Sequence, residues 1–422
     1  MGRCVHNGGR PRSNMIKAEG GYRWLLVGLL WFVWLLNYLD RQVIFSVFPL
    51  LQSELKLSSL ELGLVSTAFL WVYALASPFA GYAADRFSRK GVIVSSVCVW
   101  SAITWATAHV RSLPELLFTR ALMGISEALY LPAGLALIAA YHDKDTRSTA
   151  TGIHYSGGYL GMALGGFAGG WMGARYGWRI AFVALGILGL IYSLVIGLLI
   201  RDRRVDVTRV PASRRNLLCA IKELFALPGY PIMFIVFAVI SIGNWMVYTW
   251  LPLYLYEKFG MNLAEAGFSA TFYLQAGGVG GILFGGWLAD RWSRTDEKAR
   301  LRTQALGLAV AAPFLFLSGV TTSTVVLTSA MAVFGIGRGM YDCNCMPALC
   351  QIARDDLRST GFGLFNFIGP FAGGIVAAAA GALKSTLGIG GALQVSGALL
   401  LLSAALLTRI KLPKTTGADS TM

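Results

Sequence analysis

Charge is scarce in this chain of 422 residues: Asp, Glu, Lys and Arg supply only 14%, whereas hydrophobic residues supply 55% and the mean hydropathy is +0.60. Soluble domains carry about 25% charged residues, so a string of them is excluded. Catalytic signatures are missing as well. There is no Gly-x-x-x-x-Gly-Lys-Ser/Thr phosphate loop, no His-Glu-x-x-His pair and no Gly-x-Ser-x-Gly elbow, so neither an ATP-driven pump nor an enzyme is expected. Cysteine is sparse, six residues scattered over a tail, the apolar runs and one loop, which gives no disulfide framework. Cys343 and Cys345, two apart on a helix, point about 200° apart and make a poor metal pair. No metal or cofactor is expected. No glycosylation sequon or cleavable signal occurs, and His6 stands where myristoylation needs Ser or Thr.

Hydrophobic runs are abundant. About 20 apolar residues span a bilayer, and such runs occupy 24–48, 62–84, 91–108, 115–141, 150–171 and 179–200, then 231–256, 265–289, 303–319, 324–350, 359–383 and 390–410. The expected fold is an all-α membrane protein of 12 transmembrane helices. Residues 1–23 form an N-terminal tail, 24–200 and 231–410 two six-helix halves, 201–230 a linker and 411–422 a C-terminal tail. Within the linker, Asn216 to Phe225 is amphipathic and expected to lie on the membrane surface. Basic residues outnumber acidic ones by 36 to 21, a balance that would suit nucleic acid until it is located. Twenty-seven of the 36 fall in segments on the side of the two tails, six on the other side, and Arg41, Arg120 and Arg338 inside spans. Cations collect on the cytoplasmic side of membrane proteins, so both termini and the linker are expected in the cytoplasm, with a lipid bilayer rather than nucleic acid as partner. A single cysteine in the 201–230 linker should therefore resist a membrane-impermeant reagent applied to intact cells; labelling from outside would overturn this topology.

The halves repeat. Gly81-x-x-x-Asp85-Arg86-x-Ser88-Arg89-Lys90 returns as Gly286-x-x-x-Asp290-Arg291-x-Ser293-Arg294, and Arg147-Ser148-Thr149 returns as Arg358-Ser359-Thr360. Gly124, Glu127 and Pro132 return as Gly339, Asp342 and Pro347. Parallel six-span repeats characterise one class of secondary transporter, with the substrate site between them near the midplane.

Six ionisable residues fall within spans: Asp40, Arg41, Arg120, Glu127, Arg338 and Asp342. Each costs about 2.5–3.5 kcal/mol on insertion scales and so needs a cavity or a partner. Arg120 and Glu127, seven apart, share a helical face, at a depth that Asp40 and Arg41 also reach. Protonated Asp40 and Glu127 would free two arginines to hold a carboxylate through charge-assisted hydrogen bonds. The alternative is that these groups are ion pairs that hold spans one and four together. Arg338 and Asp342, four apart, either pair locally or add to the cavity from the second half. Tyr73, Asn244, Tyr248, Gln275 and Asn366 are further substrate-binding candidates or interhelical glue. His154 reads as a hydrogen-bonded interface residue. Glycines at spacing four, Gly157, Gly161, Gly165 and Gly169 in span five and Gly277, Gly281 and Gly285 in span eight, mark close-approach faces expected to meet across the halves.

The repeated Gly-x-x-x-Asp-Arg loop and the six-plus-six plan resemble the major facilitator superfamily over about residues 20 to 412. Asn37-Tyr38-x-Asp40-Arg41 and Arg120-x-x-x-Gly124-x-x-Glu127-Ala128 are similar to the organic anion:cation symporters, which include sugar-acid permeases, and also to Spinster-type lipid transporters. The first resemblance implies alternating access and proton-coupled symport of a small organic anion, with Asp40 and Glu127 as proton sites and Arg41 and Arg120 as anion contacts. It also implies a cytoplasmic gate at Asp85, Arg86, Arg89, Asp290, Arg291 and Arg294, for which plain charge anchoring is the alternative. Ser88 and Ser293 depart from the loop pattern, where Gly is usual. A monomer in a bacterial inner membrane is the expected setting. The competing functions are a Spinster-like carrier of an amphipathic compound and a sensor that binds without transport; the roughly 12-residue C-terminal tail leaves a sensor little room for a signalling element.

Overall fold

In lipid every backbone amide must find its partner within the protein, so long apolar runs become helices. The computed structural model describes residues 12–142, 144–201, 217–410 and 412. Among them are fifteen helices and no strand. In the first half these are α1 (Arg12–Ser46), α2 (Phe48–Leu55), α3 (Ser59–Arg86), α4 (Arg89–Thr107), α5 (Leu113–Ala128), α6 (Tyr130–Tyr141), α7 (Lys144–Tyr176) and α8 (Trp178–Leu199). Helix α9 (Leu217–Ala226) lies within the linker, where the amphipathic stretch is expected. The second half is α10 (Tyr230–Phe259), α11 (Leu263–Trp292), α12 (Ala299–Val320), α13 (Thr324–Ile352), α14 (Asp355–Ala382) and α15 (Gly388–Thr408). Two expected spans are interrupted by proline. Pro49 and Pro132 lack the N–H that the carbonyls four residues earlier require, and the chain breaks at Val47, between α1 and α2, and at Leu129, between α5 and α6. Span four is thus two helices rather than one. Allowing for these breaks, the helices supply the six-plus-six plan, with α9 and the short α2 outside it.

Ten segments among the described residues, α5 and α6 together counting as one, are long and apolar enough to cross a membrane by length and composition. The two long helices outside that set, α7 and α11, are the glycine-rich ones. Large apolar side chains such as Leu194 and Leu198 of α8 and Leu402 of α15 face outward, exposed by 69%, 84% and 63%. In water that surface would be a liability; against acyl chains it is the ordinary exterior of an integral multi-pass membrane protein.

The ends of the bundle are fixed by ties between helix termini. At the end that carries the start of α1, the Tyr22 hydroxyl donates to Leu199 O at 3.0 Å, and Arg354 donates to Glu223 of α9 at 2.9 Å. At the far end Arg179 pairs with Glu54, and Lys384 with Glu257 at 2.6 Å. The sequence repeat has a counterpart in these contacts. Arg147 donates to Ala139 O and His142 O beyond the end of α6, and Arg358 donates to Cys350 O and Ala353 O at the end of α13, the same offsets in both halves. Each guanidinium caps carbonyls that the helix end leaves without partners. Gly124 abuts Phe69 O and Tyr73 N of α3, as Gly339 abuts Gly278 O and Ile282 N of α11. Ser88 accepts from Gly91 N at 3.0 Å, so the departure from glycine at this loop supplies α4 with an N-cap.

One expectation fails. Gly157, Gly161, Gly165 and Gly169 face Trp31, Leu35, Leu39 and Val43 of α1, and Gly277, Gly281 and Gly285 face Ala332, Ile336 and Met340 of α13. Both ladders lie inside their own halves. The crossing between halves is made one residue further along α7, where Gly166 meets Gly267 and Gly170 meets Leu263 of α11. The paired glycines of α7, 157–158, 165–166 and 169–170, present two adjacent faces, and spacing alone does not say which neighbour each serves.

Candidate functional site

The halves touch at the far end and separate toward the tails. Besides the α7–α11 crossing, Thr67 of α3 donates to Gly374 O of α14 at 2.7 Å, Trp71 donates to Phe371 O at 3.1 Å, and Ser66 lies 3.2 Å from Thr249. On the other side of these contacts a vestibule of about 980 Å³ opens between the halves. Its walls come from the tail-end halves of their helices: Leu131 and Leu135 of α6, Tyr155 and Tyr159 of α7, Phe237 and Ser241 of α10, Ile282 and Leu283 of α11, Asp342 and Met346 of α13, Phe362 and Asn366 of α14. Trp34, Tyr38, Arg41, Tyr73 and Trp245 form the floor. An adjoining inner pocket of about 250 Å³ is lined by Trp34, Tyr38, Tyr155, Tyr159, Met162, Ser241, Asn244, Trp245, Tyr248 and Arg338.

Arg41 and Glu127 converge as the spacing predicts, with Arg41 Nε donating to Glu127 Oε2 at 2.5 Å in a buried ion pair. Rings of Tyr38, Phe69 and Tyr73 stand 5.1, 5.0 and 4.7 Å from the same guanidinium, which holds it by cation–π attraction on faces that a carboxylate would otherwise share. Asp40 points away from Arg41. It accepts from Thr104 at 3.3 Å, its Oδ1 is buried without a partner, and no cation lies within 4.0 Å of it among the described residues. Arg120 is buried too, donating to Thr107 at 3.4 Å beside Phe182. It borders a space of about 10 Å³ shared with Arg41 and Trp245, and lines neither larger cavity.

The second half contributes a matching pair. Arg338 Nε donates to Asp342 Oδ2 at 3.1 Å and its Nη1 to the Tyr248 hydroxyl, so this pair is both a local tie and part of the cavity wall. Tyr73 and Asn366 reach the vestibule, and Asn244 and Tyr248 the inner pocket. Gln275 lies behind them on the wall of neither, donating to Met162 Sδ at 2.7 Å and Tyr248 OH at 3.3 Å. His154, 2.9 Å from the Tyr130 hydroxyl and stacked on Trp34, is the interface residue expected. Of the loop charges, Arg89 donates to Ala136 O at 3.1 Å and Asp290 pairs with Arg300 at 3.2 Å, each within its own half. Arg86, Arg291 and Arg294 are exposed, and the Asp85 side chain lies outside the described residues. The candidates omitted Trp34, Tyr38, Tyr155, Tyr159, Met162 and Trp245. Trp34 and Tyr38 on α1, and Tyr155 and Tyr159 on α7, are each four apart on one helical face, the readable signal among them.

A family model described as Major Facilitator Superfamily matches residues 30–378. The chain is 26% identical over 399 residues to a probable galactarate/D-glucarate transporter of Escherichia coli K12, covering 86% of this chain and 89% of that one. It is 27% identical over 400 residues to a probable sulfoacetate transporter of Cupriavidus necator, covering 89% and 92%. Among solved structures, a bacterial homologue of the human lysosomal transporter Spinster, inward-facing and occupied, superposes with a TM-score of 0.77 at 20% identity, over 92% of this chain and 96% of that one.

Proposed function

The chain belongs to the Major Facilitator Superfamily, whose members are transporters rather than enzymes, and we propose that it is a proton-coupled symporter of a small organic anion, working by alternating access. The observation that carries the reading is the buried cluster behind the cavity floor, which reaches the vestibule through Arg41. Asp40 has a carboxylate oxygen with no donor, beside an Arg41–Glu127 pair whose cation borders the vestibule. An unpartnered buried carboxylate is unfavourable, and a proton relieves it. Burial opposes the charged carboxylate while a nearby guanidinium favours it, so a substrate anion that draws Arg41 away from Glu127 makes protonation of Glu127 easier. Proton and anion are thereby coupled. The names of the two relatives, which concern a sugar diacid and a sulfonated acid, support an anionic cargo, and sugar acids are the class the sequence resemblance implies.

The loop charges act as the gate in this scheme, releasing their ties within each half when the tail end closes. Positive-charge asymmetry supports cytoplasmic tails, and the bacterial relatives support an inner-membrane setting. A Spinster-like carrier of an amphipathic compound is the second reading, favoured by the apolar vestibule walls at Leu131, Leu135, Ile282 and Leu283.

In proteoliposomes loaded with a substrate found by binding, an inward proton gradient should drive uptake above equilibrium, and a protonophore should abolish it. Arg41→Ala should abolish both gradient-driven uptake and substrate exchange, because the anion loses its contact. Accumulation indifferent to the gradient would refute proton coupling.

A further inference from the structure

The inner pocket differs from its surroundings in two respects that bear on the cargo. Six of its lining residues are aromatic, Trp34, Tyr38, Tyr155, Tyr159, Trp245 and Tyr248. Its lining residues carry as neutral polar groups four tyrosine hydroxyls, the indole N–H groups of Trp34 and Trp245, Asn244 and Ser241, whose hydroxyl already donates to Phe237 O at 2.7 Å. A flat ring suits such walls, since aromatic pairs gain about 0.5–1.5 kcal/mol beyond the area they bury.

The pocket also holds one cation, Arg338, and its circumstances differ from those of the other two buried arginines. Arg41 is bound to a fully buried carboxylate and flanked by three rings, and Arg120 borders almost no free space. Arg338 instead pairs with Asp342, whose side chain is 34% exposed on the vestibule wall. Water can take over Asp342 when another carboxylate takes the guanidinium, so exchange of partners at Arg338 strands no buried charge, whereas exchange at Arg41 must wait for a proton on Glu127.

We propose that Arg338 receives the carboxylate of the substrate in the inner pocket, before the anion reaches Arg41, and that the substrate is an aromatic carboxylate. Its ring lies among Tyr38, Tyr155, Tyr159 and Trp245, and its apolar end points to the vestibule. This rests on the reading of the chain as an organic-anion transporter and narrows the class that reading would take.

Because benzoic acid crosses bilayers unaided, binding is the readout. Calorimetric titration of the purified full chain in detergent with benzoate, D-glucarate and uncharged benzyl alcohol should show benzoate binding tightest. Arg338→Gln should weaken benzoate roughly tenfold or more through loss of the paired hydrogen bonds, while Arg338→Lys, which keeps the charge, restores part of that loss. Glucarate binding as tightly as benzoate would overturn the aromatic class and leave the organic-anion reading standing. Benzoate binding unchanged in Arg338→Gln would overturn the anchor, and no benzoate binding would overturn both. Should Arg338→Gln fail to purify as a monodisperse species, Arg338→Lys decides alone: weakened binding supports the anchor, unchanged binding overturns it.

Discussion

Replacing Glu127 by glutamine should abolish uptake driven by a pH gradient in proteoliposomes and leave measurable counterflow. Glutamine is close in shape to the protonated acid, so the variant is fixed in the loaded form. Net symport needs the site to lose and regain a proton in every cycle, whereas substrate-for-substrate exchange runs with the site permanently neutral. Arg41 Nε loses a charged acceptor at 2.5 Å, but the amide oxygen still accepts, and the rings at 4.7–5.1 Å continue to hold the guanidinium. Removing one partner of a buried ion pair destabilises by about 3–5 kcal/mol in the worst case, so melting temperature must be recorded beside transport. Full gradient-driven uptake in Glu127→Gln would remove Glu127 from the proton path and return it to the role of a tie between α1 and α5.

The second large effect separates the two glycine faces of α7. A Cβ on Gly267 would meet Gly166 O, with Gly166 C and Ser46 Oγ at 2.8 Å, all belonging to the other half. Gly267→Leu should therefore prevent the halves from closing at the far end, lowering transport by about tenfold or more with little change in melting temperature, because packing within each half is untouched. A cysteine at Thr67, buried where α3 meets α14 at the same end, should become reactive toward a thiol reagent in that background. Gly161→Leu presses on Leu35 within its own half, and should lower stability by about 1–3 kcal/mol or more. Equal loss of stability in both variants, or normal transport in Gly267→Leu, would refute the division between an internal face and a closing face.

Those two faces illustrate where reading by spacing ends. A glycine ladder at i, i+4 identifies a smooth stripe, but Gly165 and Gly166 are one residue, or about 100°, apart, and their neighbours are set by the arrangement of twelve helices. The convergence of Arg41 with Glu127 was legible because both are costly charges at one depth. Arg120, at the same depth, shares the small space beside Arg41 but opens onto neither larger cavity, since its rotation toward Thr107 depends on where α4 and α8 stand. The repeats were legible because symmetric packing needs the same residue twice, as the matching contacts of Gly124 and Gly339 and of Arg147 and Arg358 make plain. The aromatic lining was obscure for the opposite reason: a tyrosine on a membrane helix suits a lipid interface, a helix contact or a cavity wall equally well.

The glycines of α7 and α11 bear on how the protein is made. Nine glycines in α7 and seven in α11 displace the leucines and isoleucines that would carry a segment from the insertion machinery into lipid, and these two long helices are not among those long and apolar enough to cross a membrane by length and composition. Each packs closely against an earlier or later helix of its own half, α7 on α1 and α11 on α13. Their stable entry into the bilayer is therefore expected to depend on that neighbour covering the exposed backbone, which would join assembly and insertion of each half into one event.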